Sequence, residues 1–181
     1  KYDCVVSSRF DAGYHNHGLN PGNSPLTNVS KYTFASDSSS QLPTAGFIRE
    51  VSGDKPYGLF AVGTNTNGYF LSGQPGPRSS CHKLVYSTDQ CNLLPGGAVS
   101  LERTRGMSIG NQTIGLLAGG YRYELPSDQI TTKIDKITYA SETTAASPST
   151  LPASRYVAAP YASSTTGYLT GGRSTPSETY V

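Results

Sequence analysis

The stretch Lys136-Ile137-Thr138-Tyr139-Ala140-Ser141-Glu142 decides how the rest of the chain is read. On a pleated strand its second and fourth residues, Ile137 and Tyr139, share one face, and the acid six after the lysine falls where the strand turns. The same pattern stands earlier as Lys31-Tyr32-Thr33-Phe34-Ala35-Ser36-Asp37 and as Lys83-Leu84-Val85-Tyr86-Ser87-Thr88-Asp89, with the three lysines 52 and 53 residues apart. A Leu-Pro pair follows each copy: Leu42-Pro43, Leu94-Pro95 and Leu151-Pro152. Further on come three glycine-bounded segments, Gly68-Tyr69-Phe70-Leu71-Ser72-Gly73, Gly115-Leu116-Leu117-Ala118-Gly119-Gly120 and Gly167-Tyr168-Leu169-Thr170-Gly171-Gly172. Lysine strand, acid, Leu-Pro and glycine strand recur in one order, which defines an internal repeat of about fifty residues.

A fourth register opens the chain, where Lys1-Tyr2-Asp3 matches the lysine strand and Gly13-Tyr14-His15-Asn16-His17-Gly18 matches the glycine strand. Only 30 residues separate Lys1 from Lys31, and this copy lacks the acid and the Leu-Pro pair, so the first repeat is expected to be short. The expected division is one repeat domain over 1–181, cut near 1–30, 31–82, 83–135 and 136–181. Thr179-Tyr180-Val181 then runs in register into Lys1-Tyr2-Asp3. In a closed ring the last segment would complete the first unit and remove a sheet edge; in an open array the next chain would fill the same gap.

Composition agrees with strands. Twenty Gly, 12 Pro and 13 Tyr with a single Met favour pleated, half-buried surfaces over long helices, so the expected fold class is all-β. The best helical candidate, 98–105, is short and runs into Gly106 and Gly110. Charged residues make up 14%, against roughly 25% in an average domain, and 24 Ser with 19 Thr carry much of the polar surface. A net charge of +2 gives no reason to expect nucleic acid as a partner. No apolar run approaches the roughly 18 residues of a spanning helix, so no membrane insertion is expected.

A period near fifty residues, several short strands per period and the diglycines Gly119-Gly120 and Gly171-Gly172 resemble the kelch-like repeats of β-propellers, including the central domain of galactose-oxidase-like proteins. In the same alignment Gly73-Gln74 half matches the diglycine. The resemblance implies an all-β, kelch-like β-propeller of about four repeats, either closed or an open array completed between molecules. The chain has no Trp, and Tyr86, Tyr139 and Phe34 are expected to replace that residue in packing between blades. The Gly-Tyr-Phe/Leu, Gly-Gly and Lys-Ile-x-Tyr patterns are also similar to repeats of phage and microbial surface proteins, which implies an extracellular or virion-surface location.

Few side chains suggest reaction chemistry. His15 and His17 would share one strand face and could supply two metal ligands, but no third ligand stands at a diagnostic spacing, so no metal or cofactor is expected. Cys4 beside Tyr2 offers only the residue types of a galactose-oxidase copper site, and that enzyme is the disfavoured alternative. There is no Gly-x-Ser-x-Gly and no phosphate loop. Asp135 and Glu142 flank a repeated strand and are read as turn caps. Cys4, Cys81 and Cys91 allow at most one internal disulfide, with buried thiols the simpler reading. Asn28-Val29-Ser30 and Asn111-Gln112-Thr113 fit the N-glycosylation pattern.

A binding surface remains. Tyr121-Arg122-Tyr123 in the longest insertion, with Tyr14, His15 and His17, combine aromatic faces with donors suited to sugars or protein, although Tyr14 recurs as Tyr69 and Tyr168 and reads equally as packing. The expected function is a non-enzymatic structural and recognition module that binds glycan, protein or other copies of itself within a larger surface assembly. The main rival is a filament or shell subunit joined by strand complementation at its termini.

Overall fold

In a computed structural model the described residues are 5–8, 11–16, 29–42, 58–73, 79–122 and 129–174. They form an all-β chain of successive antiparallel sheets. The first sheet runs β1 (Val5–Ser8), β2 (Ala12–Asn16), β3 (Val29–Thr33) and β4 (Ser38–Gln41) in sequence order. The second repeats that order with β5 (Phe60–Gly63), β6 (Asn67–Leu71), β7 (Cys81–Val85) and β8 (Gln90–Leu93). The third is built of β9 (Met107–Gly110), β10 (Ile114–Ala118), β13 (Lys133–Thr138) and β14 (Thr143–Thr150). Between β10 and β13 the small pair β11 (Tyr121–Arg122) and β12 (Gln129–Ile130) is inserted. A hairpin of β15 (Ala159–Ala162) and β16 (Gly167–Thr170) follows. The segment 98–105 is not helical; it contributes the buried Val99 and a bridge from Thr104 to Tyr121.

The first three sheets share one strand order, and hydrogen bonding groups their strands across the lysines. Each lysine sits in the third strand of its sheet, paired with the glycine strand: Tyr14 opposite Lys31, Tyr69 opposite Lys83, Leu116 opposite Lys136. Cuts at 30/31, 82/83 and 135/136 therefore fall inside β3, β7 and β13. Hydrogen bonding groups the strand before the glycine strand with it, so the first sheet is four-stranded and spans residues 5–41. Lys1-Tyr2-Asp3 and residues 175–181 lie outside the described residues.

The turn after each lysine strand follows the sequence pattern closely. Asp37, Asp89 and Glu142 all occupy the left-handed region, at φ 48°, 54° and 53°. Aspartate tolerates that conformation through its short polar side chain. The glycine strands end in paired positive-φ residues, Gly119-Gly120 at 62° and 114° and Gly171-Gly172 at 67° and 95°. In the second sheet the same pair is Ser72-Gly73, at 58° and 124°, which replaces the Gly73-Gln74 match made from sequence. Ser72 holds this conformation with its hydroxyl, which donates to the Arg103 carbonyl and accepts from the Arg103 N–H at 3.1 Å.

The three four-stranded sheets hide apolar faces against one another, which units this small require. Ala12, Tyr14 and Val29 of the first sheet meet Phe70, Leu84 and Tyr86 of the second. On the opposite face of the second sheet Phe60, Tyr69 and Leu71 meet Leu117, Ile137 and Tyr139 of the third. Strand alternation sends neighbouring side chains to opposite faces. Cys81 and Cys91 show the effect: both are buried thiols, but Cys91 packs toward the first sheet and Cys81 toward the third, so the fold-back of β7 and β8 does not bring them into a disulfide. The first strands β1, β5, β9 and β15 lie next to one another in succession.

Candidate functional site at the sheet joints

Two successive joints repeat one set of side chains. At the first, the Tyr14 ring stacks on Tyr86 with centroids 4.7 Å apart and an interplanar angle of 12°. The Tyr14 hydroxyl donates to Asp89 Oδ1 at 3.0 Å, and Lys31 Nζ pairs with Asp89 Oδ2 at 3.0 Å while lying 5.5 Å from the Tyr14 ring centre. At the second, Tyr69 stacks on Tyr139 at 5.0 Å and 17°, its hydroxyl donates to Glu142 Oε1 at 3.2 Å, and Lys83 pairs with the same carboxylate oxygen. The tyrosine and lysine come from adjacent strands of one sheet, and the stacking ring and the acid come from the lysine strand and turn of the next. The strand register delivers the first pair to one face, and the left-handed turn aims the acid back at it.

Electrostatics follow from this packing. Burial, reinforced by the neighbouring Glu142 carboxylate, raises the Tyr69 pKa well above that of a free phenol. Burial and the adjacent phenols do the same for Tyr139. Tyr14 is raised chiefly by burial, with the Asp89 bond adding to it against the opposing Lys31 contact. For Lys31, burial opposes the charged form, but its bonds to Asp89 and Tyr14 outweigh that and raise its pKa. These groups hold sheets together in fixed protonation states, with tyrosines neutral and lysine charged.

Backbone rungs reinforce each joint. Arg105 N–H donates to the Gly58 carbonyl at 2.9 Å, and Val157 N–H donates to the Arg105 carbonyl at 2.8 Å, linking the same position of three consecutive units. The second member of the positive-φ pair reaches the next unit in the same way, from Gly73 N–H to Arg103 O at 3.4 Å and from Gly120 N–H to Arg155 O at 2.8 Å.

Arg103 is the residue that sequence reasoning missed. Its Nη1 pairs with Asp135 Oδ2 at 2.6 Å, Nε donates to Gly119 O at 2.7 Å and Nη2 to Leu117 O at 2.8 Å. The guanidinium also lies 5.2 Å from the Phe60 ring centre. Asp135, read from sequence as a turn cap, is instead fully buried within β13 and also accepts the Ser100 N–H at 3.2 Å. The signal available was the spacing: Arg103 stands 16 residues before Gly119 and Arg155 stands 16 before Gly171, whose carbonyl Arg155 Nη1 reaches at 2.8 Å.

At one end of the joints the hairpin tips make open clefts. Thr64, Asn111 and Ser163 each accept two N–H groups from the residues two and three further on, closing equivalent turns. Neighbouring tips are tied by Asn65 N–H to Gln112 Oε1 at 2.9 Å and by Asn111 Nδ2 to Ser164 O at 3.2 Å. Between the tips of the second and third sheets lies a cleft of about 500 Å³, lined by Asn65, Thr66, Asn67, Gln112, Glu142, Tyr69 and Tyr139 among others. A smaller cleft recurs between Asn111 and the 163–166 tip.

The sequence-derived site residues scatter. Tyr14 has no exposed surface and serves the joint. His15 lies half-buried in β2 opposite Ser30, while His17, Asn28 and Tyr123 lie outside the described residues. Tyr121 is buried against Tyr156, their ring centroids 5.5 Å apart, with Arg122 beside it in β11. Asn111 commits both ends of its amide to the turn and to the neighbouring tip. Phe34, expected to pack between blades, is 52% exposed, with no sheet of the described residues on that face. Among the described residues no group of three or more His, Cys, Asp or Glu is placed to hold a metal ion. Comparison with protein-family models and with curated proteins gives no match to the chain.

Proposed function

We propose that the chain is a non-enzymatic, kelch-like β-propeller module of an extracellular or virion surface, and that it binds glycan in the cleft between the hairpin tips of its second and third sheets. Support for the propeller reading comes from the succession of like sheets with adjacent first strands and from the positive-φ pairs closing the glycine strands. The observation that carries the binding reading is the cleft itself. Its lining offers the amides of Asn65, Asn67 and Gln112 and the hydroxyls of Thr64, Thr66 and Thr113, and the charge it includes, Glu142, is paired with Lys83. Amide and hydroxyl groups gathered in one cleft suit the hydroxyl pattern of a sugar.

A glycan array followed by calorimetry on the hits tests this. Wild-type chain should bind at least one saccharide class, and Asn67→Ala or Thr66→Ala should weaken that binding without moving the thermal midpoint. Binding unaffected by both substitutions, or absent from wild type, overturns it.

A further inference from the structure

The two ends of the sheet array expose matching halves of the joint. On the first sheet, Tyr32, Phe34 and Asp37 face the side on which no sheet of the described residues lies. They hold the same positions as Leu84, Tyr86 and Asp89 in the second sheet and Ile137, Tyr139 and Glu142 in the third, all of which are turned toward the preceding sheet. The equivalence extends to the backbone. Phe34 N–H donates to Asp11 O at 3.0 Å as Tyr86 N–H does to Thr66 O and Tyr139 N–H to Thr113 O, and Asp37 shares the left-handed turn. Where Leu84 and Ile137 have no exposed surface, Tyr32 is 39% and Phe34 52% exposed.

At the other end, Tyr168 of β16 holds the position of Tyr14 and Tyr69, and Tyr161, paired opposite it, holds that of Val62. Their rings stack on each other at 4.9 Å, and they are 49% and 57% exposed. Both ends of the described array thus carry exposed aromatics where the internal joints bury them.

We propose that the Tyr161/Tyr168 face of one copy docks on the Tyr32/Phe34/Asp37 face of a second copy, reproducing the internal joint between molecules. Tyr168 would stack on Phe34 as Tyr69 stacks on Tyr139, and its hydroxyl would donate to Asp37 as Tyr69 does to Glu142. Asp37 already accepts the Tyr32 hydroxyl, and a carboxylate retains further lone pairs for a second donor. The described part of the hairpin carries no counterpart of Lys31 or Lys83, so this contact rests on aromatic area and hydroxyl bonds, and it forms a weaker joint than the internal ones. Because the two faces differ, the interface is head-to-tail, and repetition gives an open filament or, where the rotation closes, a ring of copies. It involves neither the proposed cleft nor exchange of a strand, so it stands or falls apart from glycan binding.

Sedimentation velocity over a concentration series, up to the millimolar range, tests it with the full 181-residue chain. Wild type should self-associate, and Phe34→Glu or Tyr168→Glu should each weaken association about tenfold or more. Both positions are exposed, and an unchanged circular dichroism spectrum at low concentration confirms folding. An equimolar mixture of the two single variants decides the geometry, since each retains one intact face. The mixture should form a 1:1 heterodimer and nothing larger. A monomeric wild type at the highest concentration, association unaffected by either substitution, or no heterodimer in the mixture overturns the proposal.

Discussion

Arg103 and Asp135 form an ion pair in which neither side chain has exposed surface, with Nη1 2.6 Å from Oδ2. The guanidinium is held on its other donors by the carbonyls of Leu101, Leu117 and Gly119. Desolvating two charges is costly, so the pair persists because nearly every donor and acceptor around it is matched. It ties the stretch before β9 to the glycine strand and the lysine strand of one sheet.

Replacing Arg103 with Met should therefore destabilise the chain by about 3–5 kcal/mol, because it leaves Asp135 buried without its cation. The exposed counterpart change, Arg155→Met, should cost about 0.5 kcal/mol or less. Urea denaturation of both variants checks the contrast, and comparable losses would remove the distinction between the two arginines.

The joint acids predict a graded response. Asp89→Asn loses the charge that holds Lys31 and weakens the acceptor for Tyr14, and because the pair is partly exposed it should cost about 1 kcal/mol. Asp37→Asn, at the uncovered end, should leave dilute monomer stability nearly unchanged. A double-mutant cycle on Lys31 and Asp89 should return a coupling of about 0.5–1 kcal/mol.

Two diglycine positions separate backbone strain from collision. Both Gly119 and Gly171 have positive φ, at 62° and 67°. A Cβ at Gly119 would strike the Arg155 carbonyl oxygen, whereas one at Gly171 would meet nothing within 4 Å. Gly171→Ala should cost about 1 kcal/mol from the left-handed conformation alone, and Gly119→Ala clearly more. Thermal unfolding of the two variants side by side measures the difference.

Alkaline pH should destabilise the fold. Burial pushes the Cys91 thiol from 9.0 up to about 12, and Cys81, Tyr69 and Tyr139 are raised in the same direction. Above pH 9.0 the unfolded chain loses protons that the folded chain keeps, so stability falls as pH rises, by about 1.4 kcal/mol per pH unit for each fully separated group. The thermal midpoint should be flat near neutrality and drop from about pH 9 upward. A flat profile through pH 11 would contradict the buried, neutral assignment of these groups.

The same burial makes the thiols unreactive. In a Cys4→Ser background, Cys81 and Cys91 should fail to react with a disulfide reagent at pH 8 until denaturant is added. Prompt reaction of either thiol in the native chain would contradict its placement.

Much of this was legible in the linear sequence, because a repeat writes its local rules several times. The alternation in Lys-x-x-x placed Leu84 and Tyr86, and Ile137 and Tyr139, on one face, and the acid six residues on marked a turn that the structure puts in the left-handed region three times. Strand periodicity and turn chemistry depend only on neighbours along the chain, and they sufficed for the all-β class. What lay beyond neighbours had to await the tertiary structure. Which strands hydrogen-bond into one sheet, that Asp135 goes inside to meet Arg103 instead of capping a turn, that Cys81 and Cys91 face opposite sheets, and that Tyr14 serves a joint while Phe34 stands open all depend on which sheet lies against which face. Identical residues in successive repeats carry the same local instruction, and only the presence or absence of a packed neighbour determines whether an aromatic becomes core or surface.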